Sequence, residues 1–194
     1  VNRYADLFHL DVMDGCLVPN ISFGFPVIEA IAKEAKRPLD ANLMIVHPER
    51  YVERFAKIPG MKMLSIHFEA AKDPEPVLGL IRSQGLQAGL AFNPDIPVEK
   101  VIPFLYACDF VLVMSVFAGF GGQQFIEETY ERISAIKTAI RENRLKCRIE
   151  VDGGVCAENA ARLTECGADT LVAGSAVFNA SDPVGGIRAM RGSL

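Results

Sequence analysis

Residues 7–15 read Leu-Phe-His-Leu-Asp-Val-Met-Asp-Gly, an apolar run that predicts a buried strand with a histidine and an aspartate inside it. A second segment of this kind, residues 148–154, reads Arg-Ile-Glu-Val-Asp-Gly-Gly. An aspartate is costly to bury unless it is paired, binds a metal or takes part in chemistry. If both strands face one cavity, Asp11 and Asp152 could remove a proton from one face of a carbon and return one to the other.

Apolar, β-branched runs of this type recur along the whole chain, with amphipathic segments between them. We predict strands at residues 6–13, 39–45, 63–69, 87–92, 110–116, 147–151 and 170–173, and helices at 27–35, 48–57, 74–83, 97–105, 126–143, 158–166 and 184–191. The strand runs are nearly continuous in apolar residues, which is typical of parallel strands buried on both faces. Regular alternation of strand and helix predicts an α/β fold.

The number of strand–helix units narrows the fold class. A (β/α)₈ TIM barrel usually takes about 250 residues, and about 200 can suffice. Seven units in 194 residues therefore predict such a barrel, with the first β/α unit upstream of Val1. A doubly wound open sheet is the alternative. Since no Pro-, Gly- or Ser-rich break divides the chain, we expect residues 1–194 to form a single domain.

Composition excludes several classes of partner. The net charge is −4 and acids and bases are interspersed, which argues against a nucleic acid or an anionic membrane as partner. No apolar run approaches the roughly 20 residues of a membrane span, and the first residues lack a signal-peptide layout. The five cysteines form no Cys-x-x-Cys pair, which indicates reduced thiols and a cytoplasmic location.

Glycine-rich loops follow the last three predicted strands. They contain Gly119, Phe120, Gly121 and Gly122, then Gly153 and Gly154, then Gly174 and Ser175. Glycine allows backbone N–H groups to approach an anion closely, and late loops of barrels often bind phosphate. Each loop alone is better explained as a tight turn, but three loops on adjacent strands favour a phosphate site.

Polar residues at the strand ends are the candidates for chemistry. His9 and Asp11 are two residues apart and point to the same face of a strand, which indicates metal ligands or acid/base groups. His67 and Glu69 have the same spacing and could belong either to the site or to a buried polar network. Methionines also end three strands, where core packing is their usual role; they are Met13, Met44 and Met114.

Several of these motifs together closely resemble the ribulose-phosphate 3-epimerase family. They are His-Leu-Asp-Val-Met-Asp-Gly at residues 9–15, Val-Pro-Asn at 18–20, Leu-Met at 43–44, Gly-Phe-Gly-Gly-Gln at 119–123, Glu-Val-Asp-Gly-Gly at 150–154 and Ala-Gly-Ser-Ala at 173–176. The resemblance runs in order from about residue 4 to residue 191. It implies a (β/α)₈ barrel that interconverts D-ribulose 5-phosphate and D-xylulose 5-phosphate, in the pentose phosphate pathway among others.

The resemblance also implies roles for particular residues. Asp11 and Asp152 are similar to the two acid/base residues of the family, and His9, Asp11 and Asp152 to its ligands for one divalent metal ion (Zn, Fe, Mn or Co). Other residues match the family's phosphate and substrate loops, namely Gly119, Phe120, Gly121, Gly122, Gly153, Gly154, Gly174 and Ser175. Met13, Met44 and Met114 match the sulfur-bearing pocket wall. A phosphorylated ketose substrate and a homo-oligomer are implied as well.

Two local departures from the family pattern concern the site. Asn42 stands where a histidine usually provides the fourth protein ligand, so we expect an amide oxygen there in contact with metal and substrate, with weaker Zn²⁺ binding. Phe117 and Ala118 replace an Asn-Pro pair.

Other functions remain open on the sequence. They are an epimerase of a hexulose phosphate such as D-allulose 6-phosphate, and a catalytically weakened barrel that only binds sugar phosphates. Barrel decarboxylases and aldolases are less consistent with the chain, because they usually pair aspartate with a strand-end lysine that we do not find here.

Overall fold

The computed structural model describes residues 1–192 and contains seven parallel strands. The strands are β1 Phe8–Met13, β2 Leu39–Met44, β3 Met61–His67, β4 Gln87–Phe92, β5 Phe110–Met114, β6 Arg148–Asp152 and β7 Thr170–Val172. The helices are α1 Phe25–Glu34, α2 Val52–Ala56, α3 Glu75–Ser83, α4 Val98–Val101, α5 Thr129–Glu142, α6 Ala157–Cys166, α7 Ser175–Phe178 and α8 Pro183–Arg191. Every predicted strand is present, with ends shifted by at most two residues.

The strands pair in chain order, from β1 at one edge to β7 at the other. All six neighbouring pairs are parallel, so the carboxyl ends of all seven strands lie at the same end of the sheet. The sheet curls into a half-barrel, which confirms the predicted fold class. Within residues 1–192, β1 and β7 are not paired with each other.

The pleat of each strand divides its side chains between two environments. On β1, Leu10 and Val12 are buried in the large apolar cluster between the sheet and the helices. His9, Asp11 and Met13 alternate with them and therefore point to the inside of the curl. The polar residues inside strand runs are thus placed in the interior, where the sequence predicted a site.

A second apolar cluster fills the inside of the curl below the strand ends. It contains Val18, Met44, Met63, Ala91, Phe110, Leu112 and Met114. The Phe110 ring lies over Gly89 of the neighbouring strand, where a Cβ atom would come within 2.2 Å of the ring. Layered packing of this kind is usual in barrels.

The predicted helices differ from the observed ones in three places. The segment predicted at 48–57 forms a 3₁₀ turn at Pro48–Arg50 followed by the short helix α2. The segment predicted at 97–105 forms one short helix followed by a 3₁₀ segment at Ile102–Ala107, because Pro103 lacks the N–H group of a regular helix. Helix α7 was not predicted, since its four residues are too few for a periodic pattern. Among residues 1–192, no helix combines the length and the apolar character that crossing a membrane requires.

Candidate active site

A cavity of about 710 Å³ opens at the carboxyl ends of the strands and extends into the curl. The sequence-predicted residues that line it are His9, Asp11, Met13, Met44, Met114, Gly119, Phe120, Gly121, Gly122, Asp152, Gly153, Gly154, Gly174 and Ser175. Asn42 is the exception among the predicted site residues: it is fully buried and does not line the cavity. The cavity therefore collects residues from both ends of the chain.

His9, Asp11 and Asp152 lie close together at the centre of this cavity. Each provides one nitrogen or oxygen atom, and these atoms all lie within 4.8 Å of one another. His9 Nε2 is 3.3 Å from Asp11 Oδ1, but the pair is not aligned as a hydrogen bond, and Nε2 is buried with no hydrogen-bond partner among residues 1–192. A buried, unpartnered imidazole nitrogen beside two carboxylates is a donor set that fits a divalent cation.

The two aspartates have pKa values shifted in opposite directions. Burial alone would raise the pKa of Asp11, but the nearby His9 ring and a hydrogen bond from Asn42 lower it. Burial and repulsion from Asp11 raise the pKa of Asp152 to about 7. Asp11 is therefore ionised at neutral pH, whereas Asp152 is about half protonated. Two carboxyl groups in different protonation states are the pattern expected of an acid/base pair.

The amide of Asn42 does not point its oxygen at the centre of the site. Asn42 Nδ2 donates to Asp11 Oδ1 at 3.3 Å, and Asn42 Oδ1 accepts from Ser65 Oγ at 3.2 Å. The expected contacts of Asn42 with metal and substrate are therefore not seen in this arrangement. A serine hydroxyl can donate or accept, so a flipped amide would keep the bond to Ser65 and turn its oxygen towards Asp11.

Two buried acids beneath His9 were not among the predicted site residues. Asp40 on β2 and Glu150 on β6 are 0% and 1% exposed. His9 Nδ1 donates to Asp40 Oδ2 at 2.5 Å and lies 3.7 Å from Glu150 Oε1. Both acids precede a predicted site residue by two positions, the spacing that places side chains on the same face, and this signal could have identified them.

The pKa values of Glu150 and His9 are shifted as well. Burial and the nearby Asp40 raise the pKa of Glu150. Burial alone would lower the pKa of His9, but the carboxylates of Asp40 and Asp11 raise it. An acidic side chain therefore lies beside each of the two ring nitrogens of His9.

The glycine loops around the cavity have backbone conformations that other residues rarely adopt. Gly119, Gly153 and Gly154 have φ values of +124°, +118° and +63°. A Cβ atom on Gly153 would lie 2.5 Å from Val116 Cγ2 and 2.8 Å from its backbone nitrogen. Glycine is needed at Gly153 for both reasons, since the left-handed region and the close approach each exclude a side chain.

Side-chain amides hold the loop that contains Gly119. Asn20 Nδ2 donates to the Gly119 carbonyl at 2.8 Å, and Asn93 Oδ1 accepts from the Ala118 N–H at 2.8 Å. Gln123 Nε2 donates to the Phe117 carbonyl across the loop at 2.6 Å. The loop is therefore fastened to its neighbours by direct hydrogen bonds even though Phe117-Ala118 replaces the Asn-Pro pair.

His67 and Glu69 form a separate polar contact outside the central group. His67 is fully buried, and its Nδ1 is 3.6 Å from Glu69 Oε2, beyond hydrogen-bond distance. Glu69 Oε1 accepts from the Asn93 N–H at 3.0 Å. Neither residue lines the cavity, so this pair belongs to the polar network beneath the loops.

Comparisons with known proteins found relatives of this chain. Residues 1–178 match the model of the family described as "Ribulose-phosphate 3 epimerase family". The ribulose-phosphate 3-epimerase of Synechocystis sp. is 44% identical over 191 residues, covering 97% of this chain and 83% of that relative. The protein of the same name from Chlamydia trachomatis is 46% identical over 178 residues, covering 90% and 75%.

A solved structure shows the same fold at much lower identity. The 3-hexulose-6-phosphate synthase from Salmonella typhimurium superposes with a TM-score of 0.65 and 16% identity, over 98% of this chain and 98% of that chain. At this level of identity the similarity concerns the fold alone.

Proposed function

The chain belongs to the ribulose-phosphate 3-epimerase family, and from that premise we propose that it interconverts D-ribulose 5-phosphate and D-xylulose 5-phosphate. The observation that carries this proposal is the meeting of Asp11 and Asp152 beside His9 in one cavity. Two carboxyl groups within a few ångströms, with pKa values shifted apart, are suited to proton transfer on opposite faces of one carbon.

In the proposed reaction the two aspartates exchange the roles of acid and base when the direction of the reaction reverses. Asp11, whose pKa is lowered, is ionised and accepts the C3 proton of one epimer. Asp152, whose pKa in the metal-free site is raised by burial and by Asp11, delivers a proton to the opposite face of C3. In the reverse direction Asp152 is the base and Asp11 the acid, as microscopic reversibility requires. The intermediate between the two transfers is an enediolate.

His9, Asp11 and Asp152 would hold one divalent cation. A bound cation would lower the energy of the negative charge that develops on the oxygens of the enediolate. Asn42 would add an amide oxygen after a flip of its side chain, an oxygen donor that suits harder ions such as Mn²⁺ better than an imidazole does.

The glycine loops would bind the phosphate group of the substrate. Gly119 to Gly122, Gly153 and Gly174 line the same cavity as the aspartates. Backbone N–H groups at such positions can approach phosphate oxygens closely. Holding the phosphate would place C3 between the two carboxyl groups without any part in the proton transfer itself. The methionines Met13, Met44 and Met114 would complete the apolar wall beside the reacting carbons.

A turnover assay with metal analysis of the same sample tests this function. We expect conversion of D-ribulose 5-phosphate to D-xylulose 5-phosphate, loss of activity after chelation, and recovery with Zn²⁺, Fe²⁺, Mn²⁺ or Co²⁺. D-allulose 6-phosphate in the same assay serves as the competing substrate, and it should turn over more slowly. Binding of D-ribulose 5-phosphate with no deuterium incorporation at C3 in D₂O would contradict the proposal and favour a barrel that only binds sugar phosphates.

A further inference from the structure

The buried contact between Asp40 and His9 has no part in the proton transfer proposed above. Asp40 is 0% exposed and pairs with His9 in the register of β1 and β2. The 2.5 Å separation between His9 Nδ1 and Asp40 Oδ2 is a close hydrogen bond, in which the ring N–H donates and the carboxylate accepts. A carboxylate so placed acts on the orientation and the proton of His9.

That hydrogen bond decides which nitrogen of the ring is free. A neutral imidazole carries one proton, and a carboxylate partner holds that proton on the nitrogen that faces it. Asp40 faces Nδ1, so in the neutral ring that a metal ligand requires the lone pair would lie on Nε2. Nε2 points towards Asp11, at 3.3 Å from Oδ1, and has no hydrogen-bond partner in the described part of the chain.

We propose that Asp40 is a positioning residue, which accepts the Nδ1 proton of His9 and thereby directs the Nε2 lone pair to the cation shared with Asp11 and Asp152. This inference rests on the cation site of the proposed function. Partners of this kind fix the ring orientation and raise the basicity of a ligating histidine. Asp40 is fully buried and does not line the cavity, so its role toward the cation is exerted through His9.

The alternative to this hydrogen bond is a second cation, bound by the buried acids Asp40 and Glu150 together with His9. His9, Asp40 and Glu150 also present three atoms within 4.8 Å of one another, and Asp40 Oδ1 and Glu150 Oε2 have no hydrogen-bond partner among residues 1–192. The distance of 2.5 Å between His9 Nδ1 and Asp40 Oδ2 favours a shared proton, because an intervening cation would hold two of its ligand atoms farther apart. The number of ions bound per chain separates the two arrangements.

The first measurement is a ¹⁵N-edited proton spectrum of the metal-free protein. The chain has three histidines, so His47→Gln and His67→Gln variants assign the signals of His9. We expect a proton on Nδ1 of His9 at low field, and a large shift or loss of this signal in Asp40→Asn. A wild-type spectrum with no Nδ1 proton on His9, or an unchanged signal in Asp40→Asn, would overturn the proposal. If Asp40→Asn does not fold, the wild-type spectrum alone decides.

The second measurement is Zn²⁺ affinity by competition with a chelator. We expect one ion per chain in the wild type and binding weaker by about 10- to 100-fold in Asp40→Asn. Glu53→Gln, an exposed position on α2, removes the same charge far from the site and should bind as the wild type does. Equal affinity in wild type and Asp40→Asn, or two ions per chain, contradicts the role of Asp40. A wild-type protein that binds no zinc contradicts the cation site itself, while the Nδ1 signal still decides whether Asp40 orients His9.

Discussion

At the scale of single residues, the site depends on acids whose surroundings differ although their chemistry is the same. Asp11 is partly open to the cavity, with 34% of its side chain exposed, and is bonded to neighbouring polar groups. Asp152 faces the negative charge of Asp11, which disfavours a second ionised carboxylate beside it. The different surroundings therefore favour Asp11 as the base and Asp152 as the acid. Paired carboxyl groups in other enzymes are distinguished in the same way.

The raised pKa of Asp152 predicts a pH dependence of stability in the metal-free protein. The unfolded chain loses this proton near pH 3.8 and the folded chain near pH 7, so the folded state binds more protons between these values. The free energy of unfolding should therefore fall as pH rises from about 4 to about 7. At about 1.4 kcal/mol per pKa unit, the free energy of unfolding should fall by at most about 4 kcal/mol. Solvent in the cavity makes the actual fall smaller.

Chemical denaturation with a chelator present measures this dependence. Asp152→Asn cannot ionise, so its stability curve should be flatter than that of the wild type over the same pH range, and the difference between the curves isolates Asp152 from other titrating groups. Parallel curves for the two proteins would show that Asp152 titrates near its ordinary pKa.

Sequence reasoning succeeded for residues whose type and spacing are themselves the signal. His9, Asp11 and Asp152 were identified because a charged or imidazole side chain inside an apolar strand is unusual. The orientation of Asn42 could not be predicted, because it depends on Ser65 from another strand, and pairing between strands fixes which residues meet. Asp40 and Glu150 were missed although their spacing carried the same signal.

At the scale of elements, the ends of strands and the loops that follow them form the cavity wall. Strand positions were predictable because each apolar run is continuous and bounded by polar or glycine residues. Helix ends and short 3₁₀ segments were less predictable, since they depend on packing and on prolines such as Pro103 rather than on periodicity. The loop after β6 illustrates how backbone conformation, which the sequence only suggests, shapes the site.

Gly153→Ala tests the need for glycine in that loop. The substitution places a side chain at φ +118° and within 2.8 Å of the Val116 backbone nitrogen, so we expect a loss of stability above about 1 kcal/mol and a raised KM for the sugar phosphate. Gly79→Ala, in helix α3 with open space around it, is the matched control; it should leave KM near that of the wild type and raise stability by up to about 1 kcal/mol. A normal KM in Gly153→Ala would show that the loop tolerates a side chain and adjusts elsewhere.

At the scale of the whole molecule, the curled sheet brings residues from distant parts of the chain to one place. β1 and β6 are separated by four other strands in the sheet, yet Asp11 and Asp152 lie within one small group. Curvature of the sheet, stabilised by side chains that fill its interior, makes this possible. The order of the strands and their parallel direction followed from the sequence; the layer of side chains inside the curl did not.

Gly89→Ala tests that interior packing. A Cβ atom there would overlap the ring of Phe110, at 2.2 Å, so we expect destabilisation of about 1–3 kcal/mol in denaturant unfolding. Phe110→Leu creates space, and the double variant Gly89→Ala with Phe110→Leu should therefore be more stable than the sum of the two single changes. Strictly additive changes would mean that the two residues do not meet inside the sheet.

The proton exchange at C3 catalysed by Asp152→Asn in D₂O tests the two-aspartate reaction most directly. With Asp11 intact, the account predicts that one epimer, supplied alone, still incorporates deuterium at C3, while conversion to the other epimer falls by about 10³-fold or more. The opposite epimer should incorporate none, and Asp11→Asn should reverse the preference. Epimerisation at a normal rate by Asp152→Asn, or equal exchange in both epimers, would contradict the account.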